Sequence, residues 1–104
     1  MDERECLGFK IRTLRKAKKI TQEHFSELID VSPRHMVKIE NGQVYPSFVT
    51  LKKIAQTLNV TIQSLFENDY YAKTEELKQK LHERVDSLDE KNTRFLYIVA
   101  SHLD

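Results

Sequence analysis

At 104 residues, with 39% hydrophobic and 32% charged side chains, the chain suits one small domain, or a small domain with an appendage, around a modest core. One cysteine cannot form an internal disulfide. No run approaches the roughly 18 uninterrupted apolar residues of a membrane helix, and the N-terminus lacks the apolar core of a signal peptide, so a cytoplasmic protein with no membrane role is expected. The net charge of +1 conceals a division: residues 1–66 carry eleven Lys/Arg against seven Asp/Glu, or +4, and residues 67–104 carry six against nine, or -3.

Met1 to Glu5 is polar and expected to fray. A first helix is predicted over Cys6 to Lys18, with Leu7, Ile11 and Leu14 on one side at spacings of four and three. Phe9 points away from that side, either as a lone exposed aromatic or as a docking point for the tail or a second subunit. Six cations fall within Lys10 to Lys19, a local field suited to a polyanion. Thr21 is an N-cap candidate for a short second helix with Phe25, Leu28 and Ile29 as its apolar stripe. Asp30-Val31-Ser32 reads as a tight turn, since Asp tolerates a left-handed backbone. Ser32 then caps a third helix and Pro33 fits its first position, where a missing N–H costs nothing. At about 100° per residue, Met36 and Ile39 face one way, while Arg34, Lys38 and Asn41, with Val37 beside them, face the other. Gly42 ends this helix in the left-handed conformation, and Pro46 keeps the loop from Gln43 extended. Ser47 caps a fourth helix, Phe48 to Leu58, that buries Leu51, Ile54, Ala55 and Leu58. Asn59 closes it, Thr61 opens a fifth, and Leu65 and Phe66 are expected to complete the core.

Glu67-Asn68-Asp69 breaks the pattern, and Tyr70-Tyr71 leads into a helix from Thr74 to Leu88 with Leu77, Leu81, Val85 and Leu88 on one stripe. Asp89, or alternatively Ser87 with Glu90 as a capping box, opens a last helix whose Phe95, Leu96, Ile98, Val99 and Leu103 form a broad apolar band. A helical pair this short cannot bury such a band on itself. Dimerisation through Leu77, Leu81, Phe95, Val99 and Leu103 is expected, the other arrangement being packing against the first helix. His24, His35, His82 and His102 form no His-x-x-x-His pair, no glycine loop cradles a nucleotide, and no nucleophile has a base and an orienter. No metal, cofactor or catalysis is therefore expected. Tyr70-Tyr71 lacks the interleaved cations of a single-strand stacking platform and reads as packing at the start of the hairpin.

In order and spacing, LGFKIRTLRK, ITQEHFSELIDVS, MVKIENG, YPS and LKKIAQTLNVTIQSLF resemble the Cro/CI-type (lambda-repressor-like, or XRE) helix-turn-helix domain over residues 7–66. The resemblance implies an all-α fold, a five-helix lambda-repressor-like bundle over residues 1–66 followed by a C-terminal helical hairpin over residues 67–104. It implies double-stranded DNA as partner, with the third helix docked in the major groove, usually from a dimer on a pseudo-palindrome. It places Gln22 against the DNA backbone or behind the reading helix. Arg34, His35, Val37 and Lys38 fall at reading positions, and Asn41, Gln43 and Tyr45 on phosphates. Arg15 and Glu40 match a pair that ties the first helix to the third, in keeping with the need of an inward carboxylate for a cationic partner. Three residues depart from the pattern. Ser26 stands in place of a small apolar residue, Asp30 in place of the turn glycine, and Pro33 at a reading position where it cannot hydrogen-bond a base. The expected function is a sequence-specific transcriptional regulator, a homodimeric repressor. The alternative is an antitoxin or partner-binding regulator whose last helices hold another protein while the DNA contact serves autoregulation.

Overall fold

The computed structural model describes residues 2–67 and 73–103, and among these there are seven helices and no strands. The chain divides into two compact units, Met1–Asn68 and Asp69–Asp104. The Tyr70-Tyr71 reading lies outside the described residues.

Five helices build the first unit: α1 (Glu3–Ala17), α2 (Gln22–Leu28), α3 (Pro33–Glu40), α4 (Phe48–Leu58) and α5 (Ile62–Leu65). Each starts on a side-chain cap, from Asp2, Thr21, Ser32, Ser47 and Thr61 in turn, whose oxygen accepts a backbone N–H three residues on. The first four also stop in one way. Lys19, Asp30, Gly42 and Asn59 adopt φ of 59°, 58°, 74° and 56°, so the next residue donates its N–H back to Arg15, Ser26, Lys38 and Ala55 respectively. Only one of these four stops is glycine. Lys19 takes the left-handed backbone without the local polar side chain that eases it for Asp and Asn.

The core is Leu7, Ile11, Phe25, Ile29, Met36, Ile39, Leu51, Ile54, Ala55, Leu58 and Leu65, with Leu14, Ile20, Val31 and Val44 among the half-buried side chains around it. Three expectations are corrected here. The first helix begins at Glu3 instead of fraying to Cys6, because Asp2 and Glu5 form a reciprocal capping box. The Asp2 carboxyl is held below its ordinary pKa chiefly by the N–H of Glu5, so this cap holds at neutral pH and weakens as the pH falls through that lowered value. Leu28 is 48% exposed: the inward face of α2 is centred on Phe25, Ile29 and the fully buried Ser26, which leaves Leu28 to one side. Phe66 is 38% exposed because α5 ends at Leu65 and Phe66 serves as its C-cap.

The second unit is a pair of helices, α6 (Thr74–Asp86) and α7 (Glu90–Ser101). Asp89 caps α7 by accepting from Asn92 N–H, while the Ser87 hydroxyl donates to the Arg84 carbonyl. Neither helix buries a residue fully.

Gly8 lets α1 lie against the end of α3, since a Cβ there would stand 2.5 Å from the Ile39 carbonyl oxygen and 2.6 Å from that of Glu40. Neither backbone atom can swing aside. Gly8→Ala is expected to lower stability by about 1–3 kcal/mol, read as a lower denaturant midpoint at unchanged slope.

Candidate nucleic-acid interface

The two sides of α3 are set by its residue spacing. Met36, Ile39 and Glu40 are buried, whereas Arg34, Val37 and Lys38 are exposed, as is Asn41 at the C-cap. Ser32 accepts from His35 N–H at the front of the helix, and Gln43 N–H donates to the Lys38 carbonyl at the back. The outward face is thus held between a capped start and a closed end. His35 flanks it half-buried, and Gln43 lies exposed in the loop beyond. Arg34, Lys38 and Asn41 offer donors and no carboxylate, with the Val37 methyls at one margin, which matches the acceptor-rich major groove and a thymine methyl.

Beneath this helix lies a buried polar cluster. Arg15 Nε donates to Glu40 Oε2 at 2.7 Å and its Nη2 to Oε1 at 3.1 Å, a two-pronged pairing of side chains only 7% and 1% exposed. Arg15 Nη1 donates to the Ile20 carbonyl at 2.8 Å, and Gln22 Nε2 donates to Glu40 Oε1 at 3.0 Å. One carboxylate therefore joins α1 and the first residue of α2 to the end of α3, and the same Arg15 ties in the α1–α2 loop. Among the described residues no buried side-chain nitrogen or oxygen lacks a partner. The hydroxyl of the buried Ser26 donates to the Glu23 carbonyl at 2.6 Å within its own helix.

The cations of α1 do not act as one group. Arg15 is internal, and Lys10 Nζ donates to the Ser64 carbonyl at 2.5 Å, joining α1 to α5. Arg12, Lys16, Lys18 and Lys19 are exposed. Tyr45, half-exposed in the α3–α4 loop, sits by the acidic first turn of α1. Desolvation, and then the Glu3 carboxylate that it hydrogen-bonds, raise its pKa above the ordinary phenol value. A carboxylate so close works against a phosphate at the same hydroxyl.

Several contacts were not foreseen. Lys10 with Ser64 and Tyr45 with Glu3 carry no local sequence signal. The Asp2-x-x-Glu5 spacing of the capping box was a usable one. Lys52 Nζ stands 5.7 Å from the centroid of the exposed Phe48 ring, and Lys53 lies 3.8 Å from Asp30 across the turn. In the second unit, Leu77, Leu81, Phe95, Val99 and Leu103 are 38%, 54%, 45%, 42% and 72% exposed. No described helix is long and apolar enough to cross a membrane.

Comparison with known proteins agrees with this geometry. The chain matches the helix-turn-helix family over residues 11–65, more than half of its length. The control protein C.MunI of Mycoplasma sp is 40% identical over 60 residues, which are 57% of this chain and 81% of that protein. The immunity repressor of Bacillus phage phi105 is 26% identical over 80 residues, 77% of this chain but only 56% of the repressor. Among solved structures, the restriction-modification controller protein C.AhdI from Aeromonas hydrophila superposes with a TM-score of 0.57 at 31% identity, covering 60% of this chain and 94% of its own.

Removing one member of the buried pair strands the other. Glu40→Leu is expected to cost about 3–5 kcal/mol, whereas the double variant Arg15→Met with Glu40→Leu loses less than Arg15→Met and Glu40→Leu summed, by denaturant unfolding of wild type, the two single variants and the double.

Proposed function

This chain belongs to the helix-turn-helix family of DNA-binding transcription regulators, and from that premise we propose a homodimeric repressor that reads double-stranded DNA with the outward face of α3. The observation that carries this reading is the separation of α3 into a buried side clamped by Arg15, Gln22 and Glu40 and an exposed side bearing Arg34, Val37, Lys38 and Asn41. Residues 1–66 then hold the DNA and residues 67–104 hold the second copy, each copy supplying one reading helix to a half-site. Half-site centres lie about 34–36 Å apart on the duplex. Such a protein works where the chromosome is, in the cytoplasm.

Reading and positioning fall to different side chains. Arg34 and Lys38 select bases by donating to N7 and O6 acceptors, Val37 meets a thymine methyl, and His35 lies at the margin of the reading face. Asn41, Gln43 and the exposed Arg12, Lys16 and Lys18 set register on phosphates, with a steep dependence on salt. Gln22 acts mainly from behind, since its amide is bonded to Glu40. Tyr45 contributes by fixing the α3–α4 loop to α1 more than by touching phosphate. Repression follows from occupancy of a promoter.

A second reading is favoured by the exposed apolar side chains of α6 and α7: a partner-binding regulator, such as an antitoxin, whose hairpin holds a different protein. Light scattering on the purified chain separates the two. A homodimer supports the repressor, and a monomer that retains DNA binding supports the partner-binding regulator.

Arg34→Ala is expected to cost about 1–3 kcal/mol on a DNA sequence selected by the wild type and to relax preference at one base position. Fluorescence anisotropy on selected and random duplexes checks it, and an equal loss on both would make Arg34 a phosphate contact.

A further inference from the structure

The end of α3 holds the chain's most labile asparagine. Of the four asparagines, only Asn41 precedes glycine, whose backbone nitrogen has no side chain to obstruct it; Asn59 and Asn92 precede the β-branched Val60 and Thr93, and Asn68 precedes Asp69. In an Asn-Gly pair the glycine nitrogen loses its proton to solvent, bonds to the asparagine Cγ and displaces the side-chain nitrogen, which takes up a proton and leaves as ammonia. Water then adds to either carbonyl of the resulting imide ring and opens it to aspartate, or to isoaspartate, in which the main chain runs through the side-chain carbons. The sum is one water consumed and one ammonia released, with no other reactant.

The fold holds this pair in an unreactive shape. Ring closure needs the Gly42 nitrogen eclipsed with the Asn41 Cβ, but at the Asn41 ψ of 0° it is eclipsed with the Asn41 nitrogen, on another side of Cα. The Gly42 N–H donates to the Ile39 carbonyl at 3.1 Å, and the Gln43 N–H to that of Lys38 at 2.9 Å. Gly42 is itself buried against the first turn of α1, where the place of a Cβ lies 2.6 Å from Glu5 Cα. Turning Asn41 into the reactive conformation therefore lifts Gly42 off Glu5 and gives up both hydrogen bonds. The Asn41 side chain is exposed to the water that completes the reaction.

We propose that Asn41-Gly42 is a site of hydrolytic deamidation, locked by the closed end of α3, and that its conversion takes the chain off DNA. The effect on binding rests on the reading of α3 as the DNA-facing helix. Either product replaces a neutral amide by a carboxylate one turn from Lys38, at the negative end of the helix dipole and on a face that meets phosphate. Isoaspartate also lengthens the main chain at a turn where the left-handed Gly42, with φ of 74°, has no slack against Glu5.

The test incubates the full chain at mildly alkaline pH with a thiol reductant, folded in buffer and unfolded in guanidinium chloride, and follows Asn41 by peptide mass mapping. Conversion is expected to be at least about tenfold faster in the unfolded chain, because the closed helix end must open first in the folded one. Equal rates overturn the lock, and no conversion at Asn41 in the unfolded chain overturns the site. Aged folded protein is then separated by charge, and the intact and Asn41-deamidated fractions are titrated with a duplex selected by fresh wild type. The deamidated fraction is expected to bind at least about tenfold more weakly, with its helices retained by circular dichroism. Equal affinity of the two fractions overturns the effect on binding. Asn41→Gln, aged alongside and compared with its own fresh sample, is expected to lose no affinity, and a matching loss there overturns Asn41 as the cause. Fresh wild type that binds no duplex overturns the DNA reading and leaves the deamidation site standing.

Discussion

The Glu40 carboxylate sits almost wholly out of water at the end of the helix that faces outward, and the first unit is arranged around satisfying it. Arg15 grips both oxygens, Gln22 adds a third donor, and Arg15 spends its remaining reach on the Ile20 carbonyl. A buried ion pair of this kind adds little net stability compared with an apolar pair of equal volume, because desolvation offsets most of the Coulomb attraction. What it supplies is direction. The donors come from α1 and α2 and the acceptor from α3, so the three helices hold their bonds in only a narrow range of angles. Gly8 adds the same constraint from the steric side by bringing α1 against the Ile39 and Glu40 carbonyls. A helix that reads base edges depends on such fixity, since displacement by an ångström separates a donor from its acceptor.

The two units solve the problem of a small core in opposite ways. The first packs eleven buried apolar residues beneath five helices and ends four of those helices with a left-handed residue and a back-donated N–H. Its loops are consequently short and internally bonded. The second leaves its leucines and aromatics half in water, with an open groove where the first has a core. One unit closes a core and presents polar groups on α3, while the other leaves apolar side chains half-exposed, the surface that the proposed homodimer covers.

Much of the first unit was legible in the sequence because short helices announce themselves by caps and apolar spacing. Thr21, Ser32, Ser47 and Thr61 cap where spacing placed them, and Leu51, Ile54, Ala55 and Leu58 are the buried residues of α4. Asp30 and Gly42 take the left-handed backbone expected of them, and Asn59, expected to close α4, takes it as well. What escaped was tertiary choice. A helical wheel gives the width of an apolar face but not the angle at which neighbours meet it, so the exposure of Leu28 could not be seen, although the resemblance already set Ser26 in place of a small apolar residue. Long polar side chains have many reachable partners, and the engagement of Lys10 with Ser64 and of Tyr45 with Glu3 depended on which elements folded beside them. Lys19 in the left-handed region carries no compositional signal at all. The resemblance to the Cro/CI-type domain named the Arg15–Glu40 pairing, and the geometry adds that Gln22 is drawn into it.

The central claim is that a clamped α3 reads sequence through its outward face. Selection of bound duplexes from a random pool by the purified full chain, at two salt concentrations, tests it most directly. The account predicts an enriched motif of two related half-sites, retained at the higher salt although total binding falls. Binding that vanishes with salt and enriches no motif would contradict it.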